Sequence, residues 1–320
     1  SSDGPFPLVV YSHGSGGLRY IASDYTEAIA SYGYIVASAD HTGNTVLEGL
    51  LCTRTERPVI ALNRVNDIQA MINALLDPTS IETAGFVANV DPESIAVTGH
   101  SVGGFTTFAA VTGYENELGS VAADDRVDAI IPLAPAIGGD RPPIDESTTT
   151  TTNPDRVDRC ADAQDPATPV LTPEEIEAAR SRKSITDEQL ASITVPQMVI
   201  VGTDDSSTPV EPNVTRAWEF SNSDPLYRVE LVAGQHQSFT NACRYFELLP
   251  SWPADLQALT RPLLESWADQ GCGDGTMDIQ RAQDLTNTFA ITFLDSIFRG
   301  GEMIDPATTE IPDDVIFMSK

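Results

Sequence analysis

Three residues of this sequence have the types and the order that nucleophilic catalysis by a serine requires. Ser101 lies in a Gly-x-Ser-x-Gly pattern, directly after the apolar run 95–98. His236 is the only histidine after Ser101, because the other three histidines precede it. A serine hydroxyl is a weak nucleophile at neutral pH, so it needs an adjacent base, and the base needs an orienting acid. We therefore interpret Ser101 as the nucleophile and His236 as the base.

The orienting acid should follow a strand between the serine and the histidine. The apolar run 199–201 leads into two adjacent aspartates, Asp204 and Asp205. Neighbouring residues at a strand end point in different directions, so one of the two should face His236. We prefer Asp205 because of its Gly-x-x-Asp-x-x-x-Pro spacing, and we interpret Asp204 as a solvated loop acid.

The residues around Ser101 predict a nucleophile elbow. In such an elbow the chain turns sharply from strand to helix, and side chains at the two flanking positions would collide with backbone. Gly99 and Gly103 fill these positions, and Gly104 follows where the next helix must pack close to the sheet. The alternative is an ordinary serine in a glycine-rich turn. The elbow predicts an α/β-hydrolase fold.

Acyl transfer at a serine also requires an oxyanion hole, formed by two preorganised backbone N–H groups. In this fold one belongs to the residue after the nucleophile, Val102, and the other to a glycine-rich turn after an early strand. Residues 13–17 read His-Gly-Ser-Gly-Gly and follow the first apolar run, which favours Ser15. The alternative is that these glycines only form a tight turn.

Apolar patterns predict strands that alternate with helices. The predicted strands are 8–11, 34–38, 95–98, 129–133, 198–201 and 228–232, the last of the sheet, and the predicted helices are 24–31, 59–76, 105–111 and 281–298. Residues 91–93, Asp-Pro-Glu, predict a turn. This alternation implies a mostly parallel central sheet with helices on both faces.

One long stretch, 140–193, interrupts this alternation. It contains more than fifty residues without a clear strand, which is too long for an ordinary loop. We predict an inserted cap or lid at 140–193, an α/β-hydrolase core at 1–139 and 194–302, and a C-terminal tail at 303–320. The alternative for the insertion is a solvated excursion that has no role in substrate choice.

The charge of the chain excludes several partners. The 320 residues carry a net charge of −29, and Lys183 and Lys320 are the only lysines. Nucleic acid is therefore a poor partner, because phosphate binding needs a basic surface. The sequence contains no apolar run of about 18 residues, so we do not expect stable membrane insertion. The triad chemistry requires neither a metal nor an organic cofactor, and no Cys-x-x-Cys pair predicts a zinc site.

The four cysteines fit two disulfides in an exported protein. We prefer a Cys243–Cys272 bridge because both residues flank one segment near the C-terminus, which leaves Cys52–Cys160. The alternative is four reduced cysteines in a cytoplasmic enzyme. From the even number of cysteines we expect a secreted or periplasmic protein. The polar, turn-like opening of the sequence does not resemble a signal peptide, and it fits a mature or trimmed N-terminus.

The motifs resemble those of platelet-activating-factor acetylhydrolases. Residues 13–17 and 29–37 resemble the H-G-x-G and L-A-S-x-G-F-x-V patterns of that family, and residues 99–104 fit its G-H-S-x-G-G elbow. Residues 202–209 and 234–236 are similar to its acid and histidine loops. Dienelactone-hydrolase-related esterases and bacterial cutinase-like polyester hydrolases look similar. The long insertion departs from the compact, lidless cutinases.

The resemblance implies a triad of Ser101, Asp205 and His236, with Ser15 and Val102 forming the oxyanion hole. It predicts a serine carboxylic-ester hydrolase that acts through an acyl-enzyme on short- to medium-chain esters or polyesters. Alternatives are a lipase or phospholipid-acetylhydrolase-type enzyme, a lactone or amide hydrolase and, remotely, a non-catalytic binding protein on this fold. From their proximity to the motifs, Leu18, His41, Val102 and Phe239 are the predicted substrate-pocket residues.

Overall fold

The predicted apolar runs form the strands of one central sheet in the computed structural model, which describes residues 4–79, 84–138 and 184–320. The strands are β1 (Phe6–Ser12), β2 (Ile35–Ser38), β3 (Val90–His100), β4 (Tyr114–Asn116), β5 (Gly119–Val121), β6 (Ala129–Leu133), β7 (Gln197–Gly202), β8 (Leu226–Leu231) and β9 (Val315–Ser319). Strands β4 and β5 form a separate antiparallel hairpin. Within the described ranges the others lie in the order β2–β1–β3–β6–β7–β8–β9, and all their pairings are parallel except that of β8 with β9.

Helices cover both faces of this sheet. They are α1 (Ser23–Ser31), α2 (Val46–Leu51), α3 (Arg57–Leu76), α4 (Ala84–Val87), α5 (Val102–Thr112), α6 (Asp187–Ala191), α7 (Val210–Phe220), α8 (Ala242–Leu248), α9 (Ala254–Ala268) and α10 (Ile279–Phe298). Helix α1 packs against α10, and α3 packs against α5. Strands β6 and β7 are buried along their whole length, as expected for a parallel sheet between two helical layers. The predicted mostly parallel sheet with helices on both faces is confirmed.

The turn predicted at 91–93 is wrong, because these residues lie inside β3. Consecutive residues of β1 pair with Asp91 and Ile95, so the β3 residues between them bulge out of the ladder. The Asp91 carboxylate accepts a hydrogen bond from the N–H of Glu93. Residues 91–93, whose types are typical of turns, therefore form a bulge within a strand.

The prediction that 228–232 is the last strand of the sheet is also wrong. Strand β9 pairs antiparallel with β8 at the sheet edge and lies in the segment predicted as a tail. Val315 is buried, and the Phe317 ring packs against Tyr227, with ring centroids 5.5 Å apart. The signal in the sequence was the apolar run 315–318, Val-Ile-Phe-Met.

Most of the predicted cap segment, residues 140–183, lies outside the described residues. The rest of that segment packs into the core, because Ile185, Leu190 and Ile193 are all buried. Helix α6 within it contacts α7. In the described part of the chain, no helix is both long enough and apolar enough to cross a membrane.

Candidate active site

Ser101 lies at the sharp connection between β3 and α5. Its backbone has φ 59° and ψ −117°, a conformation that residues other than glycine rarely adopt. A Cβ at Gly103 would overlap the carbonyl oxygen of Ser12, and one at Gly99 would lie 2.7 Å from the same oxygen. A Cβ at Gly104 would lie 2.7 Å from the Cα of Pro135. Glycine at these three positions lets strand and helix approach closely enough to form the elbow.

The three side chains predicted as a triad form one hydrogen-bonded chain. His236 Nε2 lies 2.9 Å from Ser101 Oγ, and His236 Nδ1 lies 2.8 Å from Asp205 Oδ2. The three residues follow β3, β7 and β8, whose carboxyl ends meet at one edge of the parallel sheet. Because a carboxylate only accepts hydrogen bonds, Nδ1 carries the proton and Nε2 is free to accept one from the serine.

Asp205 is a buried carboxylate whose partners favour its ionised form. Its Oδ1 accepts hydrogen bonds from the N–H groups of Ser207 and Thr208, both at 2.8 Å, and the Thr208 hydroxyl donates to Oδ2 at 2.8 Å. Burial opposes ionisation, but His236 and these hydrogen bonds outweigh it and lower the pKa of Asp205. The neighbouring Asp204 is exposed and accepts a hydrogen bond from the Thr203 hydroxyl.

His100 packs beneath the histidine of the triad. Its Nε2 donates to the carbonyl oxygen of His236 at 2.8 Å, and the two ring centroids are 4.6 Å apart. Burial, followed by the nearby His236 ring, lowers the pKa of His100 to about 3. The neutral His100 ring therefore joins the end of β3 to the short turn His236–Phe239, which we call the histidine turn. Sequence reasoning missed this role, although its position next to Ser101 was a signal.

Two backbone N–H groups beside Ser101 have no acceptor among the described residues. Val102 is the first residue of α5, and Ser15 lies in the loop after β1. Both residues line the same cleft as Ser101. The first N–H groups of a helix have no partner within the helix, and its N-terminus attracts negative charge. The arrangement suits an oxyanion formed at a carbonyl that Ser101 attacks.

Beneath the Ser15 loop lies a buried polar network that sequence reasoning missed. Arg64 is fully buried and donates to the carbonyl oxygens of His13 and Gly14 and to the Asn44 side chain. Burial first, and then the charge of Arg64, lower the pKa of His13 to about 3. The signal in the sequence was an arginine on the apolar face of a predicted helix, four residues after Ile60.

A cleft of about 720 Å³ opens beside Ser101 and His236. Its walls come from the loop after β1, the start of α3, the β4–β5 hairpin and the loop between β7 and α7. Besides the two oxyanion-hole candidates, the lining includes the polar or charged residues Asn44, Thr55, Arg57, Asn116, Glu117, Ser184, Ser206, Ser207, Thr208 and Asn213 and the apolar or aromatic residues Pro58, Ile60, Ala61, Phe105, Tyr114, Ala136 and Pro212. The sequence did not predict these walls, because they come from separate short elements.

Of the four predicted pocket residues, Val102 lines this cleft, while Leu18, His41 and Phe239 do not. His41 is buried below the Ser15 loop, where its Nδ1 lies 2.7 Å from Asp67 Oδ2. Phe239 is buried behind His100, and Leu18 is half-buried. The prediction relied on distance along the chain, which does not determine the direction in which a side chain points.

A disulfide-closed pair of helices, α8 and α9, supports the histidine turn. Cys243 and Cys272 are bonded, with their Cα atoms 5.2 Å apart. The N–H of Gln237, next to the triad histidine, donates to the carbonyl oxygen of Gln270 at 2.9 Å. The Ser207 hydroxyl in the acid loop donates to the Gln270 side chain at 2.7 Å. Gln270, two residues before Cys272, thus contacts both the acid loop and the histidine turn.

Two other sequence predictions concern cysteines and metals. The predicted Cys52–Cys160 bridge involves a residue outside the described ranges, and it stays a prediction. Among the described residues, no group of three or more histidine, cysteine, aspartate or glutamate side chains could hold a metal ion.

The comparisons with known proteins agree with the fold and with the motifs in the first 58 residues. The family model for platelet-activating factor acetylhydrolase, isoform II, matches residues 1–58, which include β1 and the Ser15 loop. A search of the curated proteins found no match. A solved structure of a ferulic acid esterase from Streptomyces cinnamoneus is similar, with 20% sequence identity and a TM-score of 0.62. The alignment covers 99% of this chain and 75% of that one.

At this level of identity the structural similarity concerns the fold. The match extends over nearly the whole chain and includes the parallel sheet with its elbow after β3. The predicted α/β-hydrolase fold and the resemblance to platelet-activating-factor acetylhydrolases are therefore confirmed.

Proposed function

We propose that the protein is a serine carboxylic-ester hydrolase that acts through an acyl-enzyme. The observation that carries the proposal is the relay from Ser101 Oγ through His236 to Asp205, with hydrogen bonds of 2.9 and 2.8 Å. The resemblance to an acetylhydrolase family and the similarity to a protein named as a ferulic acid esterase support ester hydrolysis. The N–H groups of Ser15 and Val102, which have no acceptor in the described ranges, support acyl transfer in particular.

In the first half of the reaction, Ser101 Oγ attacks the ester carbonyl carbon while His236 Nε2 takes the hydroxyl proton. The carbonyl π electrons move onto oxygen, and the N–H groups of Ser15 and Val102 donate to this oxyanion. When the intermediate collapses, the bond between carbon and the alcohol oxygen breaks. His236 then gives its proton to the leaving alcohol, and the acyl group remains on Ser101.

In the second half, water takes the place of the alcohol. His236 accepts a proton from the water, whose oxygen attacks the acyl carbon. The same two N–H groups stabilise the second oxyanion, and its collapse releases the carboxylic acid while Ser101 recovers its proton. His236 must be neutral at the start of each half-reaction, because only a neutral ring accepts a proton at Nε2. Asp205 orients the ring and stabilises its charged form.

The substrates that we propose are short- to medium-chain esters or polyesters. The cleft of about 720 Å³ is large enough for such an acyl chain or alcohol, and its lining mixes polar and apolar side chains. The disulfide between Cys243 and Cys272 supports function in an oxidising compartment, as in secreted or periplasmic proteins.

The first experiment is labelling with a fluorophosphonate probe, followed by a chain-length series of p-nitrophenyl esters and a ferulate ester. We expect the wild-type protein to label at Ser101 and to hydrolyse at least one ester, and Ser101→Ala to do neither. A folded wild-type protein that never labels would favour a non-catalytic binding role. Labelling without ester hydrolysis would favour lactone or amide substrates.

A matched pair of variants tests the choice of acid. Asp205→Asn should lower kcat by about 10⁴-fold, because the amide presents the wrong hydrogen-bonding partner to the histidine. Asp204→Asn changes an exposed neighbour in the same loop and should leave kcat close to the wild-type value. A large loss in Asp204→Asn with a normal Asp205→Asn would reverse the assignment. Steady-state kinetics with the best ester gives the comparison.

A further inference from the structure

Arg64 holds a carbonyl group on the peptide that bears one of the proposed oxyanion donors. Its Nη2 donates to the carbonyl oxygen of Gly14 at 3.1 Å, and its Nη1 donates to that of His13 at 2.6 Å. The other side of the guanidinium faces Asn44 Oδ1, with Nε at 3.1 Å and Nη2 at 2.6 Å. The side chain is completely buried under the loop.

No carboxylate oxygen among the described residues accepts a hydrogen bond from Arg64. The acid one turn further along α3, Asp67, instead bonds the ring of His41. A buried charge without a paired counter-charge is costly, so it persists only where its donors are satisfied. In this protein two main-chain carbonyl oxygens, one amide oxygen and the Ser12 hydroxyl oxygen accept hydrogen bonds from the guanidinium. Arg64 therefore depends on the loop, and the loop conformation depends on Arg64.

The carbonyl of Gly14 and the N–H of Ser15 belong to one peptide group. A trans peptide is planar, so its C=O and N–H point in opposite directions. The Gly14 oxygen accepts hydrogen bonds from Arg64, from His13 Nδ1 at 2.7 Å and from the N–H of Gly17 at 3.1 Å. With the oxygen held on the buried side, the Ser15 N–H is directed to the opposite side, where the cleft lies.

The other candidate donor is held in the same way by main-chain groups. The carbonyl oxygen of Ser101 shares its peptide group with the N–H of Val102. It accepts hydrogen bonds from the N–H groups of Phe105 at 3.2 Å and Ala136 at 3.0 Å. Both peptides beside the nucleophile are therefore fixed at their oxygen ends. Only the peptide in the Ser15 loop relies on a distant side chain for this.

We propose that Arg64 is a positioning residue for the oxyanion hole: by holding the Gly14 carbonyl, it directs the Ser15 N–H at the charge that develops on the substrate. The inference rests on the proposed function. It assigns to Arg64 an effect on transition-state stabilisation that does not require contact with the substrate. The nearby histidines reinforce it, since His13 Nε2 accepts the N–H of His41 at 3.0 Å, which keeps the His13 proton on Nδ1.

The test compares Arg64→Lys with Arg216→Lys. Arg216 is also buried, and it donates to the carbonyl oxygens of Gly138 and Ile185 away from the Ser15 loop. Titration with a fluorophosphonate counts active serines, so kcat can be expressed per active site whatever fraction has folded. A trifluoromethyl ketone, which forms a tetrahedral oxyanion on the serine, probes the oxyanion hole directly.

For Arg64→Lys we expect kcat per active site to fall roughly 10²-fold, the usual effect of losing one oxyanion donor. KM should stay near its wild-type value, and the inhibition constant of the ketone should rise by a similar factor. Arg216→Lys should lower the melting temperature but keep kcat and the inhibition constant. If Arg64→Lys does not fold, Asn44→Ala removes the oxygen that accepts hydrogen bonds from Nε and Nη2 of Arg64, and it should lower kcat and raise the inhibition constant together. Asn44 Nδ2 also donates to Ser15 Oγ at 3.3 Å, so Ser15→Ala is measured beside it to account for the loss of that contact.

Three outcomes would overturn the inference. Wild-type kcat and ketone affinity in a folded Arg64→Lys would mean that the residue only stabilises the fold. A higher KM with unchanged ketone affinity would assign it to substrate binding. A wild-type protein that neither labels nor hydrolyses esters would overturn the proposed function as well, so the two failures are distinguishable.

Discussion

The nucleophile side of the candidate site, around Ser101, and its acid–base side, around His236, are held in place by different combinations of contacts. Around Ser101 the constraints are backbone against backbone, since a Cβ at Gly103 would overlap the Ser12 carbonyl oxygen. Around His236 a contact of this kind exists between Gly202 and Gly234. The other constraints there are a side-chain hydrogen bond to Asp205 and a disulfide-closed helix pair that contacts the neighbouring Gln237. Backbone contact leaves no room for adjustment, whereas side chains and loops relax. The two sides should therefore differ in their tolerance of change.

The largest effect is expected at the elbow. Gly103→Ala should lower the free energy of unfolding by about 4 kcal/mol or more, because strand and helix must separate to admit a methyl group. Gly85→Ala is the matched control, since a Cβ there meets nothing within 4 Å. Urea unfolding of both variants measures the difference. Equal stability of the two would mean that the elbow is much less tightly packed than its contacts indicate.

The next effect concerns the disulfide on the acid–base side. Replacing Cys243 and Cys272 with alanine opens a bridge that spans 29 residues. Loop entropy predicts a loss of about 3.6 kcal/mol in the free energy of unfolding. Because the remaining contacts of the histidine turn persist, the variant should keep measurable ester hydrolysis. Unfolding and activity should be compared in the double variant and the oxidised wild type, and complete loss of activity in a folded variant would contradict this tolerance.

The smallest effect is expected where the two sides meet, at His100. Burial lowers its native pKa to about 3, whereas an unfolded histidine titrates near 6.5. Below about pH 6.5 His100 binds a proton in the unfolded chain but stays neutral in the native state. The free energy of unfolding therefore falls as the pH falls. The stability that a neutral His100 contributes is fully present well above pH 6.5. It decreases by up to about 1.4 kcal/mol per pH unit between that pH and the native pKa.

His100→Gln removes this titration and retains a donor for the His236 carbonyl. Between pH 6.5 and 5.5 its free energy of unfolding should fall less than that of the wild type, by about 1 kcal/mol. Denaturant unfolding at the two pH values gives the slopes. Identical slopes would mean that His100 binds protons equally in the native and unfolded states over this pH range.

The same contrast explains what the sequence could predict. Backbone packing around Ser101 requires glycine, which is visible as Gly-x-Ser-x-Gly, and the buried parallel strands are visible as apolar runs. The positions of Asp205 and His236 followed from their order along the chain, and the structure brings both to Ser101. Where neighbouring residues in the sequence set the geometry, as at the elbow, the requirement is visible in the sequence.

The rest depended on contacts between distant segments. Arg64 bonds a loop 50 residues away, and the cleft walls combine the start of α3 with the β4–β5 hairpin. No local pattern specifies such pairings. The bulge at 91–93 and strand β9 were missed because a turn motif and a short apolar run each have more than one structural use, and neighbouring elements select between them.

The disulfide at the histidine turn also has a consequence for protein engineering. The chain leaves the core at Cys243 and returns at Cys272, with the two Cα atoms 5.2 Å apart. Helices α8 and α9 therefore form a module with adjacent ends, and a length change within it alters the exterior without separating the points where it joins the core. A binding domain or an alternative helix pair inserted there would be attached next to the turn that holds His236, and the disulfide would still close the base of the module.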